Sequence, residues 1–277
     1  MPPHVSPLPF YSDVRGNRLA EWAAVDHNSG HYLWLRGSDE IVTQVLIAFP
    51  AYREMPLPVA ASTAWTHVLN GPARLLAAAE DFLNLLKSVI SLPNPTGIRV
   101  ALALDWYKQP VDGMDPYSWP NTEVGELVSK GKYLYRTDGE RQSEVGRDLV
   151  ARVCDVVTRH TLLNQAEVVL DVPGHDSSQV SFGSRMAVTV ARDLKLERVK
   201  VKSRDEFRTP SKNMTAPQQA ELVSGRFYLE CAIRGRVALI VDDVFRSGAS
   251  MGETARTAIS AGASAVYGVC AVRTRRR

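Results

Sequence analysis

A chain of 277 residues, 45% of them hydrophobic, is long enough for one large or two modest domains with a sizeable core. Its formal net charge of +3 is too small to indicate a nucleic-acid partner by itself, and its three widely spaced cysteines show no zinc-site or disulfide pattern. Because no apolar run reaches membrane-spanning length and the proline-rich start lacks a signal-peptide core, we expect a cytoplasmic protein with no membrane partner.

The first part of the chain predicts an α/β arrangement. Residues 31–36 and 41–49 are strongly apolar and predict two strands, with a hairpin turn at residues 37–40 between them. Residues 72–90 predict an amphipathic helix, because a proline opens its first turn and apolar side chains form one stripe. Residues 98–104 predict another strand.

A domain boundary is predicted near residue 120. Residues 108–121 contain three prolines and no periodic pattern, and all five tryptophans precede residue 120. We therefore predict an N-terminal α/β domain of residues 1–120 and a second domain of residues 121–277. The first domain carries no chemical motif, and its tryptophans are expected in its core, although a docking surface for a partner is an alternative.

The second part alternates helices and strands more clearly. The predicted order is helix 143–161, strand 168–172, helix 183–194, strand 199–202, strand 237–241, helix 252–261 and strand 265–272. Repeated strand–helix–strand units indicate right-handed crossovers between parallel strands. We therefore predict an α/β fold with a doubly wound parallel sheet.

The most informative stretch is residues 237–250, in which an apolar strand ends at Asp242 and Asp243 and a small glycine-bearing turn follows. Ser250 and Glu253 have the spacing of a capping box, which predicts a helix start there. A helix N-terminus can hold a phosphate, whereas carboxylates suit sugar hydroxyls or a divalent cation. A phosphate, a polyol and a metal in one site describe phosphoribosyl pyrophosphate (PRPP).

This stretch resembles the PRPP signature of type I phosphoribosyltransferases, which has four apolar residues, two acids, two apolar residues and a small phosphate loop. The resemblance implies that Asp242 and Asp243 hold ribose hydroxyls and Mg²⁺ and belong, with Arg246, to the catalytic group. Arg246 replaces the usual Thr, Ser, Ala, Val or Asp and cannot act as a base. The implied ligands of the 5′-phosphate are Ser247, Gly248, Ala249 and Ser250.

Further segments follow in the order of the ComF-type branch of that family. Residues 127–133 are similar to its Lys-Tyr segment, and residues 181–185 stand at its Arg-Gly-Phe-Asn-Gln-like run, with Gly183-Ser184 replacing the Asn-Gln pair. Residues 204–227 look like its mobile hood. The implied pyrophosphate loop consists of Pro173, Gly174, His175 and Asp176.

The cations of residues 198–212 predict a lid that closes on the phosphates, with Arg204, Arg208 and Lys212 as its contacts. A solvated basic loop is the alternative. His175 is equally compatible with a solvated loop position.

The resemblance implies a phosphoribosyltransferase, a glycosyltransferase of nucleotide metabolism. It would use Mg²⁺–PRPP, transfer phosphoribosyl to a small nucleobase-like nitrogen acceptor and release pyrophosphate. The alternative is a non-catalytic PRPP- or nucleotide-binding protein, or a DNA-metabolism accessory protein of the ComF type. A homodimer is implied because type I relatives often dimerise. The basic end at residues 273–277 could contact nucleic acid, but a solvated tail is favoured.

Overall fold

The computed structural model describes residues 3, 10–27, 30–135, 138–176, 179–207 and 214–275. The chain divides into two compact units. The first comprises Met1–Pro93 and Arg159–Leu162, and the second comprises Asn94–Thr158 and Leu163–Arg277. Within the described ranges, no helix has the length and apolar character needed to cross a membrane.

The first unit contains an antiparallel sheet and two helices. Its elements are β1 (Glu21–His27), β2 (Gly30–Arg36), α1 (Asp39–Ala48), β3 (Arg53–Met55), β4 (His67–Pro72), α2 (Leu76–Ser88) and the short β5 (Ile90–Ser91). The first four strands form one sheet in the order β1-β2-β4-β3. Trp34 and Trp65 lie in the core of this unit, with 7% and 2% of their surface exposed.

The prediction of a strand at residues 41–49 is wrong, because these residues lie in helix α1 or directly after it. Asp39 and Glu40 occupy its first turn, where carboxylates interact favourably with the helix dipole. The residues predicted as a hairpin turn therefore start a helix. The strand predicted at residues 31–36 is confirmed as β2. The helix predicted at residues 72–90 is confirmed only over the shorter α2, because Pro72 ends β4 and Ile90 begins β5.

The second unit alternates strands and helices. It contains β6 (Val100–Trp106), α3 (Glu123–Ser129), a π-helical turn (Lys130–Leu134), α4 (Gly139–Arg159), β7 (Val168–Asp171), α5 (Phe182–Asp193), β8 (Glu197–Val199), β9 (Lys202–Ser203), α6 (Ala216–Val223), β10 (Phe227–Tyr228), β11 (Val237–Phe245), α7 (Ala249–Ser260) and β12 (Ala265–Arg273). The predicted boundary at residue 120 lies inside this unit, because β6 pairs with β12.

Five strands of this unit form a parallel sheet in the order β6-β12-β11-β7-β8. The crossover through α5 leads from β7 outward to β8, whereas the crossover through α7 leads from β11 the opposite way to β12. Because such crossovers are right-handed, α5 and α7 cover opposite faces. The fold is therefore α/β with a doubly wound parallel sheet, as predicted, and the connections diverge between β7 and β11.

Candidate functional site

A cavity of about 430 Å³ lies at the carboxyl ends of β7 and β11. Open α/β sheets bind ligands where neighbouring connections diverge, which is the position of this cavity. The cavity wall includes most of the predicted site residues, namely Pro173, Gly174, His175, Asp176, Asp242, Asp243, Ala249 and Ser250. The loop after β7 and the loop after β11 therefore face one common space.

The two carboxylates lie within β11, three and two residues before its end, rather than in the turn that follows. Asp243 is 6% exposed, and its backbone N–H donates to Oδ1 of Asp242 at 2.9 Å. Helix α5 approaches this pair closely at Gly183. A Cβ atom on Gly183 would lie 3.2 Å from Oδ1 of Asp242 and 3.3 Å from the nitrogen of Asp243. The glycine therefore lets the start of α5 pack against the acids.

Lys132 is the cationic partner of this pair. Its Nζ donates to Oδ1 and Oδ2 of Asp243 at 3.0 and 2.9 Å. Burial on its own lowers the pKa of Lys132, but the carboxylate of Asp243 outweighs it and raises the pKa above its ordinary value. The lysine is therefore charged when it meets the carboxylate.

Asp242 has a different electrostatic environment from Asp243. Burial, with the neighbouring charge of Asp243, raises the pKa of Asp242 to about 7. Lys132 and the N–H of Asp243 oppose this rise. The adjacent carboxylate and burial therefore make the ionised form of Asp242 less favourable.

The predicted phosphate loop leads directly into α7. Gly248 is the N-cap residue of α7 with φ of +80°, a left-handed conformation that favours glycine. The capping box predicted at Ser250 and Glu253 is wrong, since the helix already begins at Ala249 and Glu253 accepts a hydrogen bond from the nitrogen of Gly225 at 2.8 Å. A glycine N-cap brings no side chain, so the first turn of α7 keeps N–H groups that an anion can use.

The backbone of this loop contacts the end of β12. Ser247, Gly248 and Arg246 do not belong to the cavity wall. The backbone oxygen of Arg246 accepts a hydrogen bond from the guanidinium of Arg273, which also stacks over the ring of Phe245 at 5.1 Å. The loop backbone is therefore held by the end of β12.

The predicted pyrophosphate loop meets the described end of the lid segment. Asp176 forms an isolated antiparallel bridge with Phe207, and the ring of Phe207 lies 5.9 Å from that of His175. Arg204 is not part of the cavity wall, because its guanidinium lies over the ring of Tyr228 at 5.3 Å. Arg208 and Lys212 lie outside the described residues.

The polar residues of the cavity wall that were not predicted as site residues include Lys132, Arg185 and Gln219. Lys132 and Arg185 belong to residues 127–133 and 181–185, where the sequence predicts no role for either side chain. Gln219 lies in α6, within the hood-like segment. The order of these segments along the chain is the one sequence feature that pointed to these three residues.

Comparison with known proteins gave structural matches alone. No protein-family model and no curated protein matches the sequence. A purine phosphoribosyltransferase from Pyrococcus horikoshii Ot3 is similar in structure, with a TM-score of 0.33 and 11% identity over 47% of this chain and 82% of that chain. An adenine phosphoribosyltransferase from Leishmania tarentolae has a TM-score of 0.38 and 8% identity over 67% of this chain and 94% of that chain. The fold described above rests on this chain's own strand order.

The adjacent carboxylates of Asp242 and Asp243 are two donors for a metal on the cavity wall. Among the described residues, no group of three or more His, Cys, Asp or Glu side chains could hold a metal ion. Mg²⁺ commonly takes one or two carboxylates and completes its shell with water and substrate phosphates. Asp242 and Asp243 fit that mode of binding, in which the substrate supplies the remaining oxygens.

Proposed function

We propose that the protein binds Mg²⁺–PRPP in this cavity and transfers the phosphoribosyl group to a nitrogen of a nucleobase-like acceptor, with release of pyrophosphate. The observation that carries the proposal is that two adjacent carboxylates, an open helix start and a glycine-containing loop face one cavity at the divergence point of the sheet. These three features match the hydroxyl, phosphate and pyrophosphate groups of PRPP.

Each group of residues then has a distinct role. Backbone N–H groups of the loop formed by Ser247, Gly248, Ala249 and Ser250 hold the 5′-phosphate. Asp242 and Asp243 hold the ribose hydroxyls and the metal. Pro173, Gly174, His175 and Asp176 face the pyrophosphate. Bound Mg²⁺ would supply positive charge for the leaving group.

The reaction builds positive charge at the anomeric carbon and negative charge on the departing pyrophosphate. Catalysis then depends on fixing the leaving group, neutralising its charge and excluding water. The loop after β7 and the lid segment with Arg204, Arg208 and Lys212 would perform these tasks. Contact between Phe207 and the loop after β7 supports closure of that segment at this end of the cavity.

Calorimetric titration of PRPP, with and without Mg²⁺, tests the binding step. A screen of nucleobases for acceptor-dependent release of pyrophosphate then tests transfer. Mg²⁺-dependent binding followed by release with one acceptor would support the proposal. A folded protein that binds no PRPP under either condition would overturn it.

A non-catalytic PRPP- or nucleotide-binding protein is the second candidate. Two observations favour it: Arg246 cannot serve as a base, and Lys132 offsets the charge of Asp243. PRPP binding without pyrophosphate release from any acceptor would favour this candidate. For a DNA-metabolism accessory role, the test is binding of single-stranded DNA that weakens steeply with salt.

A further inference from the structure

The backbone that carries Lys132 is held tightly in place. Lys132 lies in the π-helical turn Lys130–Leu134, a form that often occurs at functional sites. A Cβ atom on Gly131 would lie 2.4 Å from the ring of Phe182, so this residue packs directly on the ring. The carbonyl oxygen of Gly131 accepts a hydrogen bond from Nε2 of the buried Gln142 at 2.6 Å. The turn therefore has little freedom to place Lys132 elsewhere.

The same helix start also positions the acid that Lys132 meets. Phe182 is the first residue of α5, and the next residue, Gly183, packs against Asp242 and Asp243. Ser181 caps this helix by accepting a hydrogen bond from the nitrogen of Ser184 at 3.0 Å. The ammonium and the carboxylate are thus fixed against one shared element, although 111 residues separate them in sequence.

Lys132 donates its hydrogen bonds to Asp243 rather than to Asp242. Both oxygens of Asp243 accept from Lys132, and the Asp243 side chain is only 8% exposed. The Lys132 side chain keeps 33% of its surface exposed and lies on the cavity wall. An ammonium has three donors, so one remains for an oxygen of a bound ligand.

We propose that Lys132 is a positioning residue of the PRPP site, which fixes and neutralises Asp243 and leaves Asp242 as the carboxylate that meets the metal. This inference rests on the proposed function. It predicts that the effects of Lys132 and Asp243 on PRPP affinity are coupled, whereas the effect of Asp242 is separate. It also predicts that an arginine can replace Lys132, because a guanidinium can bond both carboxylate oxygens.

The test is calorimetric titration of Mg²⁺–PRPP into the full-length protein and a set of variants. We expect Lys132→Met and Asp243→Asn each to weaken binding by about 100-fold, the usual scale for truncating a buried charge pair. The double variant Lys132→Met/Asp243→Asn should bind no more weakly than either single variant. Lys132→Arg should retain affinity within about tenfold of the wild type.

Lys130→Met is the matched control. Lys130 lies in the same turn but pairs with Glu126 at 3.6 Å and is outside the cavity wall, so its loss should leave PRPP affinity unchanged. Melting temperatures of all variants separate a general loss of stability from a specific loss of affinity. The double variant removes both members of the Lys132–Asp243 ion pair, so it provides the comparison with Asp243→Asn even if Lys132→Met alone does not fold.

Wild-type affinity in a folded Lys132→Met protein would overturn the role of Lys132 and leave the proposed function intact. The double variant could instead lose PRPP affinity by the product of the two single-variant factors. That result would also overturn the role, since Lys132 would then act independently of Asp243. A wild-type protein that binds no Mg²⁺–PRPP would overturn both the role and the function.

Discussion

Ser247, in the loop between β11 and α7, donates a hydrogen bond from its hydroxyl to Oε1 of Gln219 at 2.6 Å. Gln219 is 6% exposed, lies in α6 and forms part of the cavity wall. Its amide nitrogen donates to the carbonyl oxygen of Met214 at 2.8 Å. The loop proposed to hold the 5′-phosphate is therefore tied to the helix that borders the same cavity.

Gln219→Leu should loosen this connection. The substitution removes the acceptor for Ser247 at similar side-chain volume, so we expect unfolding free energy to fall by about 1 kcal/mol. We also expect PRPP affinity to fall about fivefold, because the loop loses a tether near the phosphate site. Urea unfolding and calorimetry measure the two effects. Glu221→Gln, at an exposed position of the same helix, is the control, and tighter PRPP binding by Gln219→Leu would contradict the expectation.

The double variant Asp242→Asn/Asp243→Asn should lose Mg²⁺–PRPP binding and keep its fold. Amides are similar in shape to carboxylates but bind a divalent cation far more weakly. Calorimetry measures binding, and circular dichroism checks the fold. Asp105→Asn is a matched control, because Asp105 is the second-last residue of β6, at the same edge of the sheet, but lies outside the cavity wall. If the double variant bound as well as the wild type, the site assignment would be wrong.

Gly248→Ala should distort the phosphate loop. A Cβ atom there would lie 2.7 Å from the ring of Phe245 and 3.0 Å from Pro95, at a φ of +80°. Left-handed strain costs an alanine about 1 kcal/mol, and the contacts add to it. We therefore expect a loss of stability of about 2–3 kcal/mol and a clear loss of PRPP affinity.

Gly113→Ala separates strain from contact. Gly113 has a φ of +74°, but a Cβ atom there would meet nothing within 4 Å. This variant should lose only about 1 kcal/mol of stability and no PRPP affinity. Equal losses of stability and affinity in the two variants would show that the contacts around Gly248 contribute nothing.

His160 should make the stability of the protein depend on pH. It is fully buried, and its Nδ1 accepts a hydrogen bond from the nitrogen of Leu162 at 3.2 Å. Nε2 then carries the proton and lies 3.2 Å from Oε1 of Gln44. Burial lowers the pKa of His160 to about 3 from its ordinary value of 6.5. The folded protein therefore keeps this imidazole neutral over a pH range in which the unfolded chain protonates it.

The contribution of neutral His160 is fully present above pH 6.5 and is lost as the pH falls from 6.5 towards 3. Its loss amounts to about 1.4 kcal/mol for each pH unit in that window. His160→Gln should remove this part of the slope, which urea unfolding at several pH values between about 4 and 6 measures. An unchanged slope would show that another group causes the acid sensitivity.

The parallel sheet could be predicted because strands buried on both faces are continuous apolar runs, as in residues 237–241. The run at residues 41–49 is equally apolar but forms a helix. Its buried residues, Ile41, Val42, Gln44 and Val45, follow helical spacing, and β-branched side chains concealed that period. Short apolar runs therefore leave helix and strand undecided until their packing partners are known.

The grouping of the candidate site residues was predictable where those residues are close in sequence. Asp242 and Asp243 stand beside the phosphate loop, so one local pattern contains them all. Lys132 meets Asp243 across 111 residues, and no local spacing encodes that contact. The sequence predicts a helix start at Ser250, because Ser250 and Glu253 have the spacing of a capping box. In the structure the helix begins at Ala249, and Glu253 bonds Gly225 instead.

The first compact unit is interrupted in sequence, because Arg159–Leu162 belongs to it and the residues on both sides do not. The chain therefore crosses between units three times, and no single cut yields two whole ones. A fragment ending at Pro93 would lack the ring of His160 that packs 4.8 Å from that of Phe82. During synthesis, the amino-terminal unit cannot be completed until residue 162 has left the ribosome, contrary to the usual order in which N-terminal domains finish first.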